Sequence, residues 1–359
     1  MKIGLIGLEN SGKTTIFNAL TGLNAEVTSY SSQKLEPNIG VVNVDDERIT
    51  WLSELYMPKK TIYAHIEFTD FAGLTSGSKE GEAFSAASMG LIKTTDALAL
   101  VVRNFTDDII YQSLGKPKPV ADITNICDEM ILSDLMITEK RLERIEKDKK
   151  RGLKNAELLV EEHTLLRIQE QLNKMLPLRD LELATDEEKA VRGFRFLTQK
   201  PLLVILNSDE NNFGKQPELL AEIEKDYNVI EMAGNFEMEL SKLDEEEADM
   251  FMSDMNIKES AVNRLVTFAY RILGLISFFT AGKDEVRAWT IANGETAVEA
   301  AGTIHSDLAR GFIRAECFNY EDLKAAGSEK AVKEYNKMRL EGKTYHVKDG
   351  DILNIRFSV

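Results

Sequence analysis

Cysteine is scarce: Cys127 and Cys317 are the only two in 359 residues, they lie far apart, and they form no CxxC pair. That leaves two reduced thiols of a cytosolic protein and no disulfide framework, with a redox role for either still open. Histidine is nearly as rare, and His65, His163, His305 and His346 show no metal-ligand spacing. His305 follows a helix start and is expected to be a packed structural histidine. No run of eighteen apolar residues occurs, and the greasiest stretch, Leu265 to Phe279, carries Arg271 in its middle. It is expected as a buried helix and not as a membrane span. Met1-Lys2-Ile3 begins a strand and not a basic-then-apolar leader, so no secretory signal is expected and the cytoplasm is the expected location.

Positive charge is also in deficit, because 44 Lys and Arg face 60 Asp and Glu for a net −16. A field of that sign repels nucleic acid, so DNA is excluded as a partner of the whole surface, and any RNA contact must come from a local basic face. Lys140 to Arg151 is the candidate stretch. Its interspersed acids favour a solvated helix face over a binding patch.

What is present points to a multidomain α/β chain. The length suggests two or three domains, and 43% hydrophobic residues suffice for packed cores. Ile3, Leu5 and Ile6 form a short strand before a Gly-rich loop, and Thr14 to Leu20 then reads as a helix. Ile62 to Phe68 is a second strand ending at Asp70. Ala97 to Val102 and Leu202 to Leu206 are apolar runs of the kind a parallel strand covered on both faces requires. This alternation predicts a doubly wound domain over 1–128 and 198–275. Between its halves, over 129–197, Ile131, Leu135, Leu142 and Ile145 share one helical face. Leu158, Leu165, Ile168, Leu172 and Met175 share another after a break at Lys149 to Gly152, which predicts an inserted antiparallel helical hairpin. Met250, Met252 and Met255 read as helix packing, and Asp244 to Glu247 as an exposed acidic helix start. Over 276–359 strands are expected at Val286 to Ile291, Phe312 to Phe318, Tyr345 to Val347 and Leu353 to Phe357. Thr296 with Glu299 forms a capping box. Several strands around one helix suggest a small α+β domain of ubiquitin-like size.

The chemistry sits in three motifs. Gly7-Leu8-Glu9-Asn10-Ser11-Gly12-Lys13-Thr14 fits the phosphate-loop pattern directly after a strand and before a helix. Its glycines let successive N–H groups from Glu9 through Thr15 face phosphate oxygens at a positive helix end. Lys13, expected on a solvent-facing loop, reaches the β and γ phosphates, and the Thr14 hydroxyl is a ligand for Mg²⁺. Asp70-Phe71-Ala72-Gly73 supplies a magnesium-directing carboxylate and a γ-phosphate-sensing glycine. Leu74 follows where Ras-like enzymes orient water with a glutamine, so intrinsic hydrolysis is expected to be slow. Asn207-Ser208-Asp209-Glu210 ends a strand where a GTPase shows Asn-Lys-x-Asp. With no lysine and an acid one methylene longer, the guanine reader is altered.

In that order the motifs resemble the YchF family of Obg-like ATPases, over nearly the whole chain. The resemblance runs through Leu35-Glu36-Pro37-Asn38, Val101-Val102-Arg103 and Phe105, and a specific C-terminal run from Phe278 to Thr290 and on to Glu316. It implies that ATP is preferred over GTP, with Asn207 and Glu210 at the base-reading motif. It also implies association with the ribosome (large subunit), a part in stress responses, and a C-terminal β-grasp domain of the TGS type. The family's threonine in the first switch is Lys34 here, its histidine after Asp108-Ile109-Ile110 is Tyr111, and a glycine-rich turn has become Ala83 to Ala86. Asn10 stands where the resemblance implies an asparagine that helps place K⁺; a solvated loop lysine is the plainer reading of Lys34, and an ammonium that takes over the K⁺ site is the other. These departures keep a second function in view beside slow hydrolysis: a nucleotide-gated adaptor that grips RNA or protein. A GTPase is the third reading.

Overall fold

A computed structural model describes residues 1–23, 25, 37–71, 86–152, 155–254 and 259–358. Lys34, Leu35, Glu36, Ala72, Gly73, Leu74, Met255 and the turn at Ala83 to Ser85 lie outside the described residues. In chain order the first elements are β1 (Lys2–Ile6), α1 (Lys13–Thr21), β2 (Asn38–Asn43), α2 (Glu47–Tyr56), β3 (Lys60–Ile62) and β4 (His65–Asp70). Then come α3 (Ala86–Ile92), β5 (Ala97–Asn104), α4 (Asp108–Leu114), α5 (Pro119–Lys150), α6 (Ala156–Asn173), β6 (Leu202–Ser208) and β7 (Asn228–Met232). The last strands are β8 (Leu275–Ala281), β9 (Glu285–Ala292), β10 (Phe312–Asn319), β11 (Arg339–Glu341) and β12 (Asp351–Phe357). Two compact units form: Lys2–Gly40 with Glu67–Val262, and Met1 and Val41–Ile66 with Asn263–Val359.

The first unit is built on a sheet ordered β2-β4-β1-β5-β6-β7, parallel from β4 to β7. Every residue of β5 and β6 is buried, as apolar strands covered on both faces should be. This is the doubly wound arrangement that the alternating pattern predicts. The apolar run Ile62 to Phe68 is not one strand, however. It breaks at Tyr63-Ala64, and β3 and β4 pair in different sheets.

The hairpin helices bury Ile131 and Ile145 of α5 against Leu165, Ile168 and Leu172 of α6. Proline at the first turn starts α5, and the Asn155 side chain caps α6 by accepting from the Leu158 N–H. Charges line the seam: Arg141 forks onto both oxygens of Glu161 at 2.7 Å, and Lys149 meets Glu162 at 2.8 Å. One buried carboxylate ties the hairpin to the turn that leads into β6. Asp134, fully buried, accepts from the Leu197 N–H, the Thr198 N–H and the Thr198 hydroxyl at 3.0, 2.8 and 2.7 Å. Burial pushes its carboxyl up, while those three donors pull it back.

The second unit holds a mixed sheet ordered β11-β10-β12-β8-β9-β3, with the helix Ala297–Ile304 packed against Phe278, Ile291, Phe312 and Ala315. Glu299 accepts from the Thr296 N–H at 2.7 Å, so the capping box forms. Segment Val41–Ile66 is integral to this unit. β3 runs parallel to β9, Arg48 bridges Asp46 and Asp349, and Trp51 meets Tyr320 edge to face at 5.4 Å.

Three expectations fail here. Leu265 to Phe279 is not a single helix: the helix ends at Ile272, Gly274 takes φ 56°, and the apolar residues beyond it belong to β8. Glycine's tolerance of that angle turns the chain from helix to strand. Tyr345 to Val347 makes one isolated bridge and no strand. His305 is not packed; it stands exposed, and its Nδ1 accepts from the Asp307 N–H at 3.1 Å to cap a short helix. Met250 is likewise exposed on its helix. Cys127 and Cys317 are buried free thiols, and burial pushes Cys317 up to about 12, where it is inert as a nucleophile.

Candidate functional site

The loop after β1 is shaped by its glycines. Gly7 takes φ 151°, Asn10 φ 57° and Gly12 φ 89° before α1 begins at Lys13. A Cβ on Gly12 would stand 2.1 Å from Asn207 Nδ2, so both the angle and the space require glycine there. Gly12→Ala is therefore expected to shift the loop amides, and with them to weaken at least about tenfold the triphosphate binding that the loop motif predicts. Gly22 takes φ 64° in open space, so Gly22→Ala should cost about 1 kcal/mol of stability and leave affinity unchanged. Calorimetric titration of both variants checks the pair, and equal affinities would remove the constraint.

Lys13 is not solvent-facing. The loop wraps over it, and its Nζ donates to the Gly7 and Leu8 carbonyls at 2.9 and 2.8 Å. Burial pulls the ammonium down to about 8, against the pull of Asp70 and Glu9 in the other direction. Beside it, Thr14 Oγ1 donates to Asp70 Oδ2 at 2.9 Å, and Asn38 Nδ2 reaches the same oxygen at 3.4 Å. Asp70 is buried at the end of β4, and Ser11 Oγ is buried with no hydrogen-bond partner among the described residues. Thr15 is buried in α1, and Glu9 is exposed.

At the other end of the loop Asn207 acts as a clip. Its Nδ2 donates to the Ser11 carbonyl, and its Oδ1 accepts from the Gly234 N–H, both at 3.1 Å. Ser208 points inward and donates to Glu231 at 2.6 Å, and Glu231 also accepts from the Gly214 N–H. Asn104 donates to the Ser208 hydroxyl at 2.9 Å. Asp209 accepts from Thr106 N–H at 3.2 Å, and Glu210 stands exposed in the loop.

The structure thus brings Lys13, Thr14, Asp70 and Asn207 to one end of the parallel sheet. Asn38 and Glu231 escaped the sequence reading. Asn38 lies in the quoted Glu36-Pro37-Asn38 motif, but nothing in sequence ties it to Asp70. Glu231 is a lone acid in a short strand and gives no signal. Tyr111 is exposed on α4.

Residues 2–132 match the family described as 50S ribosome-binding GTPase, and residues 275–358 match YchF-GTPase_C, described as a protein of unknown function. The chain is 41% identical to the ribosome-binding ATPase YchF of Bacillus subtilis, over 99% of each chain. It is also 41% identical to that of Escherichia coli O157:H7, over 100% of this chain and 99% of the relative. The solved structure of the Schizosaccharomyces pombe YchF GTPase superposes with a TM-score of 0.85 at 32% identity, covering 99% of this chain and 97% of that one.

Proposed function

Because the chain belongs to the YchF family of P-loop nucleotide hydrolases, we propose that it binds Mg–ATP in preference to GTP, hydrolyses it slowly, and acts on the ribosome in the cytoplasm. The observation that carries the proposal is the convergence of Lys13, Thr14 and Asp70 under a loop that only glycine at position 12 can form. The Thr14 hydroxyl and the Asp70 carboxylate are hard oxygen donors facing each other, which suits Mg²⁺. The partnerless Ser11 Oγ is a polar atom that a phosphate oxygen would satisfy. Mg²⁺, when bound, neutralises charge on the phosphate oxygens. Lys13 adds a charge-assisted bond, and the α1 amides orient the chain of phosphates. Gly73 is assigned the sensing of the γ-phosphate, and Leu74 leaves no side chain there to align water. Residues 276–359 are assigned as the TGS-like domain and residues 129–197 as the helical domain.

Base choice falls to the end of β6. Ser208 is held inward by Glu231, so no lysine covers the base there, and Glu210 replaces the shorter guanine-reading acid. ATP should bind tighter than GTP by about tenfold, since a mismatched polar pair in a base site costs roughly 1–3 kcal/mol. Glu210→Asp should narrow that ratio. Titration of both nucleotides with magnesium decides it, and tighter GTP binding would sink the assignment.

A further inference from the structure

Three carboxylates crowd the end of β6 and β7, and they do different things. Asp209 accepts from the Thr106 N–H at 3.2 Å, the Asn212 N–H at 2.9 Å and Asn212 Nδ2 at 3.0 Å. Glu231, in β7, accepts from the Ser208 hydroxyl at 2.6 Å on one oxygen and from the Gly214 N–H at 3.0 Å on the other. Gly214 takes φ 71°, a left-handed turn that glycine adopts freely. Asn104 extends the network by donating to the Ser208 hydroxyl at 2.9 Å and to Gln216 Oε1 at 3.3 Å. Glu210 keeps its carboxylate exposed. Successive residues of a strand point to opposite faces. Asn207 therefore reaches the phosphate loop, while Ser208 reaches Glu231 on the other side of the sheet.

Ser208 and Glu231 are both buried, and no cation pairs with the carboxylate among the described residues. A buried charge held by one hydroxyl and one amide costs more than an apolar pair filling the same space. What the carboxylate contributes is geometry. Its two oxygens join the start of the loop 208–214 to its far end, and Glu210 lies between them. We propose that Glu231 is a specificity-determining positioning residue of the base site: by joining Ser208 to Gly214 it fixes the loop that presents Glu210 to the base of ATP. That role rests on the base-choice reading above, and it lies on a strand outside the Asn207 to Glu210 motif. A hydrogen bond to a base edge weakens steeply as its angle falls. A loop free to rock therefore loses its choice between bases before the site loses the phosphates.

The test is calorimetric titration of the full-length protein with Mg–ATP, Mg–GTP and magnesium tripolyphosphate, which carries no base. Glu231→Ala should bring the preference for ATP down from about tenfold to about twofold through weaker ATP binding. Tripolyphosphate affinity, and kcat at saturating ATP, should stay at the wild-type level. Glu231→Gln can still accept from the Gly214 N–H and donate to the Ser208 hydroxyl, so it should recover part of the preference. Ser208→Ala should lower the preference too, and the double variant should lose less than the sum, because both changes cut one shared bond. An unchanged preference in Glu231→Ala overturns the assignment, and so do additive effects. A parallel loss of tripolyphosphate binding also overturns it, since Glu231 then supports the fold as a whole. If the alanine variant does not fold, Ser208→Ala decides, and a wild-type ratio there ends the proposal. A wild type that prefers GTP removes the ATP reading above. The assignment of Glu231 then stands only if Glu231→Ala still brings the two affinities together with tripolyphosphate binding unchanged.

Discussion

Lys13→Ala is expected to weaken ATP binding at least a hundredfold and to leave the fold standing. A charge-assisted hydrogen bond contributes about 1.5–3 kcal/mol, and the proposed role gives Lys13 one to each of two phosphates. In the free protein the side chain is capped by the Gly7 and Leu8 carbonyls, so its removal strands two acceptors and also removes a buried charge. These two effects oppose each other, and thermal unfolding should move by only a few degrees. Isothermal titration with Mg–ATP reads the loss directly; binding within a few-fold of wild type ends the assignment.

The same residue gives a pH signature. Its ammonium is held at about 8 against an ordinary 10.5, so the unfolded chain holds the proton more tightly than the folded one. Stability of the free protein from this group therefore rises as pH climbs from about 8 toward 10.5. Phosphate favours the charged form, so ATP binding should take up a proton above about pH 8 and weaken as pH rises. Calorimetry in buffers of different ionisation enthalpy measures that uptake, and Lys13→Met should abolish it.

Asp134→Ala should be the most destabilising change away from the nucleotide site. It strands the Leu197 N–H, the Thr198 N–H and the Thr198 hydroxyl, all buried. At roughly 1–3 kcal/mol for each orphaned donor, partly relieved by relaxation, the loss should be about 3–5 kcal/mol. Asp134→Asn keeps one acceptor and should recover part of it. Urea unfolding measures both; a loss near zero for the alanine variant means that water reaches the junction freely.

How much of this was legible in sequence follows from the range of the interactions involved. The strand, loop and helix around Lys13 were readable because glycine, apolar run and helix start act within a dozen residues. So was the Thr296–Glu299 box. The partition of Ile62 to Phe68 was not, because Lys60 to Ile62 pair with Glu285 to Arg287, far away in the chain. Leu265 to Phe279 misled because one apolar run serves a helix and then a strand, and only Gly274 marks the change. The burial of Lys13 was hidden for another reason. A lysine is exposed by default, and only the backbone carbonyls folded over it reverse that.

β3 has a temporal consequence. It is synthesised early, yet its partner β9 is made more than two hundred residues later, roughly 10–40 s at 5–20 residues per second. Over that interval α2, whose Ile49 and Leu52 are fully buried in the finished protein, lacks the strands β8 and β9 that it packs against. The nucleotide-binding sheet can close around its own strands while this early segment waits. A nascent chain stalled before the C-terminal unit therefore carries a greasy helix and an unpaired strand, a natural substrate for chaperones and, left uncovered, a seed for aggregation.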